Sequence, residues 1–285
     1  MDWDDELRRF SMQTPVRSRA ITFTSGKGGT GTTVLALNTA ILLAQRGKRV
    51  VIFDGNLAVG NVSVLLGHAP RYDLQHVLAR EKRLTDILVP GPQGIQVIPG
   101  SMGATGLNGL DAEDLQDLLG QIPEVQANFD FLLIDTGSSI TPTALELILA
   151  ADETIVVTRP EPTALASAYA LMKIVVQHRA AYPFHLLLNM VRDEGQAEQV
   201  RSSLARILNS FLGYQPGYAG FVAMDENVGR SVVQQVPFVL HAPRARATQC
   251  LLSLVEKLAP REKGLGIESQ GTPPLWRRII DRRQR

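Results

Sequence analysis

Nine residues, Ser25-Gly26-Lys27-Gly28-Gly29-Thr30-Gly31-Thr32-Thr33, constrain this chain more than any other stretch. They follow an extended run, Ala20-Ile21-Thr22-Phe23-Thr24, and open a helical pattern from Val34 to Gln45. Strand, glycine-rich turn and helix form the setting in which a backbone curls around an anion. Glycines let successive N–H groups converge, and the helix N-terminus adds partial positive charge. The phosphate-loop spacing G-x-x-x-x-G-K-[ST] is met by Gly26, Gly31 and Thr33. Position 32 holds Thr where the pattern places the Lys that reaches the β- and γ-phosphates. The stretch reads as a nucleotide cradle with one cation missing, its phosphates held on the amides of Gly28 to Thr33. The plain alternative is a tight glycine turn with no ligand.

Four further apolar runs alternate with helical patterns: Arg49 to Phe53, Phe129 to Ile134, Glu153 to Val157 and Phe184 to Leu188. Continuous apolar strands are the mark of parallel strands covered on both faces. The expectation is one α/β domain, a doubly wound, mostly parallel sheet with helices on both faces, over residues 19–259. Two of the strands end in acid, Asp54 and Asp135. A carboxylate there faces the ligand crevice of such a sheet, and phosphate-loop proteins place one beside magnesium in this way. Shorter patterns predict helical pieces at Leu74 to Leu78 and Leu84 to Leu88, and a short strand from Ile95. A helix capped by Asp111 runs to Leu119, and Ser101 to Gly109 form a glycine-rich loop. A long amphipathic helix reaches about Leu212, and further helices contain Val228 to Gln234 and Thr248 to Leu258.

Lys27, with Gly28-Gly29-Thr30-Gly31-Thr32-Thr33 behind it, resembles K-G-G-x-G-K-[ST]-T, the deviant phosphate loop of the MinD/ParA superfamily. The resemblance implies an ATPase fold binding ATP and Mg2+, and a homodimer in which Lys27 crosses to the partner's phosphates. Asp54, Asn61 and Gly67 match the superfamily's first switch segment, D-x-D-x-x-x-x-N-x-x-x-x-x-G, while Asn56 replaces its second acid. By resemblance that acid helps position the attacking water, and an amide takes no proton. Asp135, Thr136 and Gly137 match the second switch, D-T-[PG]-x-G, with Ser139 in place of the closing glycine. Magnesium is expected at Thr33, Asp54 and Asp135, and catalysis, in degenerate form, at Lys27, Asp135 and Asn56. Asn189 is implied to read adenine, for which its paired donor and acceptor suit it; a turn-forming Asn is the alternative. Gly220 to Asp225 is similar to the adenine-side loop, without its proline, which adds Asp225 to the nucleotide site.

Thr158-Arg159-Pro160-Glu161-Pro162-Thr163 and Ala168-Tyr169-Ala170-Leu171-Met172-Lys173 closely resemble one branch, FlhG (also FleN), which regulates flagellar number and placement. Thr163 is the expected cap of the helix that follows. The branch implies flagellar regulator or switch proteins as partners, and an N-terminal helix acting on a signal-recognition-type, FlhF-like GTPase. Residues 1–18 carry Asp2, Leu7 and Arg8 of that helix pattern but depart at Trp3 and Asp4. Thr32 also occurs in related localisation proteins for pilus assembly and cellulose export, so a role in such a system is an alternative. A nucleotide-independent scaffold is another.

Composition adds boundaries. A net charge of +1 names no partner, and no direct nucleic-acid signal is present. One cysteine, Cys250, forms no internal disulfide, suits the cytosol and reads as a small core residue. No apolar run approaches the ~18 residues of a membrane span, and the N-terminus lacks a secretory pattern. Residues 260–274 have a linker composition. In 275–285, Leu275, Trp276, Ile279 and Ile280 share a helical arc of roughly 140°, with Arg277 and Arg278 facing away. This suits an interfacial helix on an anionic membrane, as the resemblance also implies; docking on the parent domain or a free tail are the alternatives. The expected location is cytoplasmic, peripherally associated with the inner face of the cell membrane.

Overall fold

The computed structural model describes residues 18–56, 60–101, 112–138 and 140–260. The expected arm before Ser18, the loop after Ser101, the Asp111 cap, Ser139, and the linker and tail beyond Pro260 lie outside the described residues.

Eight strands form one sheet in the order β3-β4-β2-β5-β1-β6-β7-β8. They are β1 (Arg19–Thr24), β2 (Val50–Asp54), β3 (Val89–Pro90), β4 (Gln96–Ile98), β5 (Phe131–Asp135), β6 (Glu153–Thr158), β7 (Phe184–Val191) and β8 (Gly217–Ala223). All neighbours pair in parallel except β3 with β4. Pro90 falls on that antiparallel edge, where its missing N–H breaks no ladder. The sequence predicts a helical turn through Leu88. The chain instead makes a 3₁₀ turn, Leu84–Ile87, and then bends into β3.

Alternation along each strand sorts the core into two layers. Ile21, Phe23, Val50, Ile52, Leu133 and Ile155 pack on one side, against α1 (Thr32–Gln45) and α11 (Arg246–Leu258). Ala20, Val51, Phe53, Leu132 and Ile134 pack on the other, where α3 (Leu74–Leu78), α4 (Ala112–Gly120) and α5 (Ile122–Gln126) cover them. Farther along that face, α7 (Pro162–His178) and α8 (Glu194–Leu212) cover β6 and β7. α1 is buried from Leu35 to Leu43 on nearly all sides, which explains its lack of a polar face. Between these lie α2 (Val62–Leu65), α6 (Pro142–Ala150), α9 (Glu226–Val233) and α10 (Phe238–His241).

Two expectations give way here. Gly220 to Ala223 are not loop: they complete β8, paired with β7 from His185↔Gly217 to Val191↔Ala223. The ladder offered by β7 overrides a glycine-containing stretch that looks like a turn in isolation. Thr163 does not cap α7. The helix begins one residue earlier, at Pro162, and Thr163 lies inside its first turn.

The parallel order brings the C-terminal ends of β1, β2, β5, β6 and β7 to one edge of the sheet. The chain's last described turn is anchored to the opposite edge, where Arg19 Nη1 donates to the Leu258 carbonyl at 2.8 Å and Arg46 Nη1 to that of Ala259 at 3.1 Å.

Tyr182 is fully buried, and its hydroxyl joins Thr154 Oγ1 at 2.9 Å and donates to the Ile148 carbonyl. Tyr182→Phe keeps the ring and removes both bonds, leaving the buried Thr154 hydroxyl without this partner while the Ile148 carbonyl still accepts from the Ala151 N–H at 3.1 Å. It is expected to lower unfolding free energy by about 1–3 kcal/mol, read as an earlier urea midpoint with an unchanged slope.

Candidate functional site

Strand β1 ends at Thr24 between β5 and β6, and the glycine loop rises from it to the first turn of α1. Gly31 stands immediately before the helix with φ 86°, and a Cβ there would meet Asn189 Nδ2 at 2.4 Å, so only glycine fits. Gly26 lies against the Ser167 backbone of α7. A cleft of about 270 Å³ opens over the loop. Gly29 to Val34 form its floor, Asn56, Asn61, Val64 and Leu65 one wall, and Gly137 and Ser138 another. The loop and both predicted switch segments therefore meet around one space. Among the described residues, no backbone N–H from Gly28 to Thr33 donates to a backbone acceptor.

Asp54 and Asp135 are register partners at the ends of β2 and β5, and both are fully buried. The Asp54 carboxylate accepts from the backbone N–H of Val62 at 2.9 Å and of Asn56 at 3.3 Å. Burial, then the neighbouring Asp135 charge, push its pKa up to about 8, against the pull of those amides. Asp135 Oδ1 accepts from the Gly137 N–H at 3.0 Å, and the Thr33 hydroxyl lies close enough to the carboxylate to favour its charged form. Burial raises the Asp135 pKa, with Thr33 and Gly137 opposing. Asp135 Oδ2 is buried without a partner. An orphaned carboxylate oxygen beside a threonine hydroxyl is a hard oxygen donor set. It suits Mg2+, which takes one or two carboxylates and completes its shell with water and phosphate. Among the described residues no group of three or more His, Cys, Asp or Glu gathers into a metal cage, and magnesium of this type needs none.

At position 32 the side chain is buried and its hydroxyl is spent on Thr30 Oγ1 at 2.9 Å. Lys27 turns toward its own chain: Nζ donates to Thr163 Oγ1 at 2.7 Å and pairs with Glu161 Oε2 at 3.4 Å. Both ends of that pair are well exposed, so solvent screens it and it is readily exchanged. Arg159 first, and Lys27 after it, hold the Glu161 carboxyl below its usual range. Arg159 also donates to the Gly29 carbonyl at 3.2 Å. No motif pointed to Arg159; its only signal is its place in the branch-specific stretch.

Asn189 and Asp225 do not line the cleft. Asn189 Nδ2 donates to the Thr30 carbonyl at 2.8 Å, and its Oδ1 accepts from the Met190 N–H at 2.9 Å. Asp225, expected beside adenine, caps α9: Oδ1 accepts from the Asn227 N–H and Oδ2 from the Ala247 N–H. Extending β8 to Ala223 leaves Asp225 as the residue that must start the next helix.

A family model described as an AAA domain matches residues 18–185, more than half of the chain. The chain is 29% identical over 252 residues to the antiactivator FleN of Pseudomonas aeruginosa, covering 88% of this chain and 89% of that protein. It is 26% identical over 266 residues to the flagellum site-determining protein YlxH of Helicobacter pylori, covering 92% and 90%. The solved cell division ATPase MinD of Pyrococcus furiosus superposes with a TM-score of 0.69 at 26% identity, covering 85% of this chain and all of that one. The chain belongs to the MinD/ParA family, in its FlhG branch.

Asn56 packs beside Gly137 in the cleft wall and its backbone N–H bonds Asp54, so it stands next to the buried carboxylates.

The raised Asp54 pKa has a stability consequence with a definite sign. Between the unfolded value of 3.8 and the folded value of about 8, the folded chain holds a proton that the unfolded chain has released. This group's stabilisation is full below about pH 4 and lost as pH climbs through about 8. With no divalent cation present, the urea midpoint is expected to fall from about pH 5 to about pH 8. Asp54→Asn should flatten that fall.

Proposed function

We propose that this chain is an FlhG-type switch that regulates the number or placement of flagella. It binds Mg-ATP, dimerises on it and hydrolyses it slowly or not at all. One observation carries the reading: the loop and both switch segments line a single cleft, and the strand-end carboxylates of Asp54 and Asp135 are paired in register and buried beside it. The backbone amides of Gly28 to Thr33 hold the phosphates. Thr33 and Asp135, with Asp54 behind them, would hold magnesium, which would supply charge neutralisation to the phosphates. Asn56 has no proton-accepting charge with which to prepare a water, and Thr32 offers no cation to a leaving phosphate.

Lys27 is the moving part. Its contact with Glu161 and Thr163 is exposed and weak, so a partner's phosphates compete for it successfully. Likeness to FleN and YlxH supports the flagellar setting. Among the described residues no helix is long and apolar enough to cross a membrane. Membrane contact is assigned to the amphipathic segment Leu275 to Ile280, and action on an FlhF-like GTPase to residues 1–18. The altered Thr32 and Asn56 favour one competing reading, a scaffold that has dispensed with nucleotide.

Light scattering of the full chain separates the two. Mg-ATP is expected to double the scattering mass. Lys27→Ala should weaken that dimer by about tenfold or more, the loss of a charge-assisted contact. Phosphate release should stay near background. A mass indifferent to Mg-ATP would establish the scaffold, and brisk turnover would overturn impaired hydrolysis.

A further inference from the structure

The loop's carbonyls are held from one side. Ser25 Oγ donates to the Lys27 carbonyl at 3.0 Å, Arg159 Nη1 to that of Gly29 at 3.2 Å and Asn189 Nδ2 to that of Thr30 at 2.8 Å. The peptides are trans, so each carbonyl and the N–H that follows it point in opposite directions. Fixing the carbonyls of Lys27, Gly29 and Thr30 therefore turns the N–H groups of Gly28, Thr30 and Gly31 the other way. The three holding side chains stand outside the cleft, while Gly29 to Thr33 line it. Gly29 and Gly31, at φ 75° and 86°, supply the left-handed steps that bring such N–H groups together into an anion-binding concavity.

We propose that Arg159 and Asn189 are positioning residues of the phosphate loop. From the ends of β6 and β7 they hold its carbonyls from behind and so aim its amides at phosphate, in place of the missing lysine. The inference rests on the nucleotide reading above and adds to it the device that makes a lysine-free loop grip.

Arg159 does more than occupy space. A charged donor on the Gly29 carbonyl polarises that peptide and strengthens its N–H as a donor on the far side. Glu161 and the Met190 sulfur, 3.7 Å from Nη1, fix the guanidinium in place. Asn189 is locked as well, since its Oδ1 accepts from the Met190 N–H. A loop held in its binding shape before the ligand arrives loses less conformational freedom on binding. Its dipoles also need no reorganisation. This also gives Asn189 a task unlike adenine recognition, and the two are separable by experiment.

The test is isothermal titration of the full chain with Mg-ATP and with Mg-pyrophosphate, a probe that has phosphates and no base. Arg159→Ala and Asn189→Ala are each expected to weaken both ligands by the same factor, about tenfold. Arg159→Lys, which keeps one charged donor, should recover most of the loss. Without ligand the melting temperature of Arg159→Ala should barely move, whereas Asn189→Ala, which strips the buried Thr30 carbonyl and the Met190 N–H of a partner, should lower it, so affinities are compared at a temperature where both variants are folded. Asn189→Ala losing ATP affinity while pyrophosphate affinity stays intact would make Asn189 a base reader and overturn its positioning role. Unchanged affinities in both variants, or a wild-type chain that binds Mg-ATP but not pyrophosphate, would overturn the proposal and leave the switch standing. A wild-type chain that binds neither ligand would remove the nucleotide reading itself. If Arg159→Ala does not fold, Asn189→Ala and Arg159→Lys carry the same test.

Discussion

Two carboxylates lie side by side in the dry interior, and the rest of the site answers to that. Strand register forces it: Asp54 pairs with Asp135 because β2 and β5 are neighbours whose last residues coincide. Both are fully buried, which raises both pKa values, and the Asp135 charge makes Asp54 harder still to ionise. Amides of Asn56, Val62 and Gly137 and the hydroxyl of Thr33 offset part of this, and Asp135 Oδ2 still has no partner. Such a pair is tolerated in a folded protein when it is protonated or when a cation arrives. The cation-binding end of the site is thus under physical tension that its own chain does not relieve.

At the other end of the cleft the electrostatics are reversed. Among the described residues the N–H groups of the glycine loop donate to no backbone acceptor, and the first turn of a 14-residue helix adds its partial charge. Among the described residues, no Lys or Arg lines the cleft. The two cations nearby, Lys27 and Arg159, are both turned toward Glu161. One carboxylate serving two cations has a particular consequence. When Lys27 departs, Glu161 stays paired with Arg159, so no bare charge is left behind to oppose the exchange. Partial dipoles that are fixed and a cation that is free to move form a sensible division of labour for a switch.

The layered fold was legible in the sequence because it depends on local and periodic signals. The apolar runs ending at Asp54 and Asp135, the helix after Thr33 and the long helix to Leu212 all appear within a residue or two of where the pattern puts them. Errors came where a distant partner decides. Gly220 to Ala223 became strand because β7 had an open edge. Thr163 left its expected cap for Lys27, which is 136 residues away. Arg159 and Asn189 act on carbonyls more than a hundred residues distant, and no spacing rule encodes which carbonyl a side chain will find.

The proposed function changes what resets the switch. In an ordinary nucleotide switch, cleavage of the γ-phosphate dissolves the contacts that hold the active state. On the proposed reading, an amide at position 56 and a hydroxyl at position 32 make cleavage the step the site would perform worst. Release of intact nucleotide then becomes the exit, and the lifetime of the dimer follows the dissociation rate, the parameter in which most affinity differences reside. A loop held rigidly from behind slows that exit, and a weakly tethered Lys27 makes re-entry easy. Timing would then be set by how firmly a few backbone amides hold phosphate, and a partner protein that disturbed the Arg159 or Asn189 contacts would act as the accelerator that hydrolysis no longer supplies.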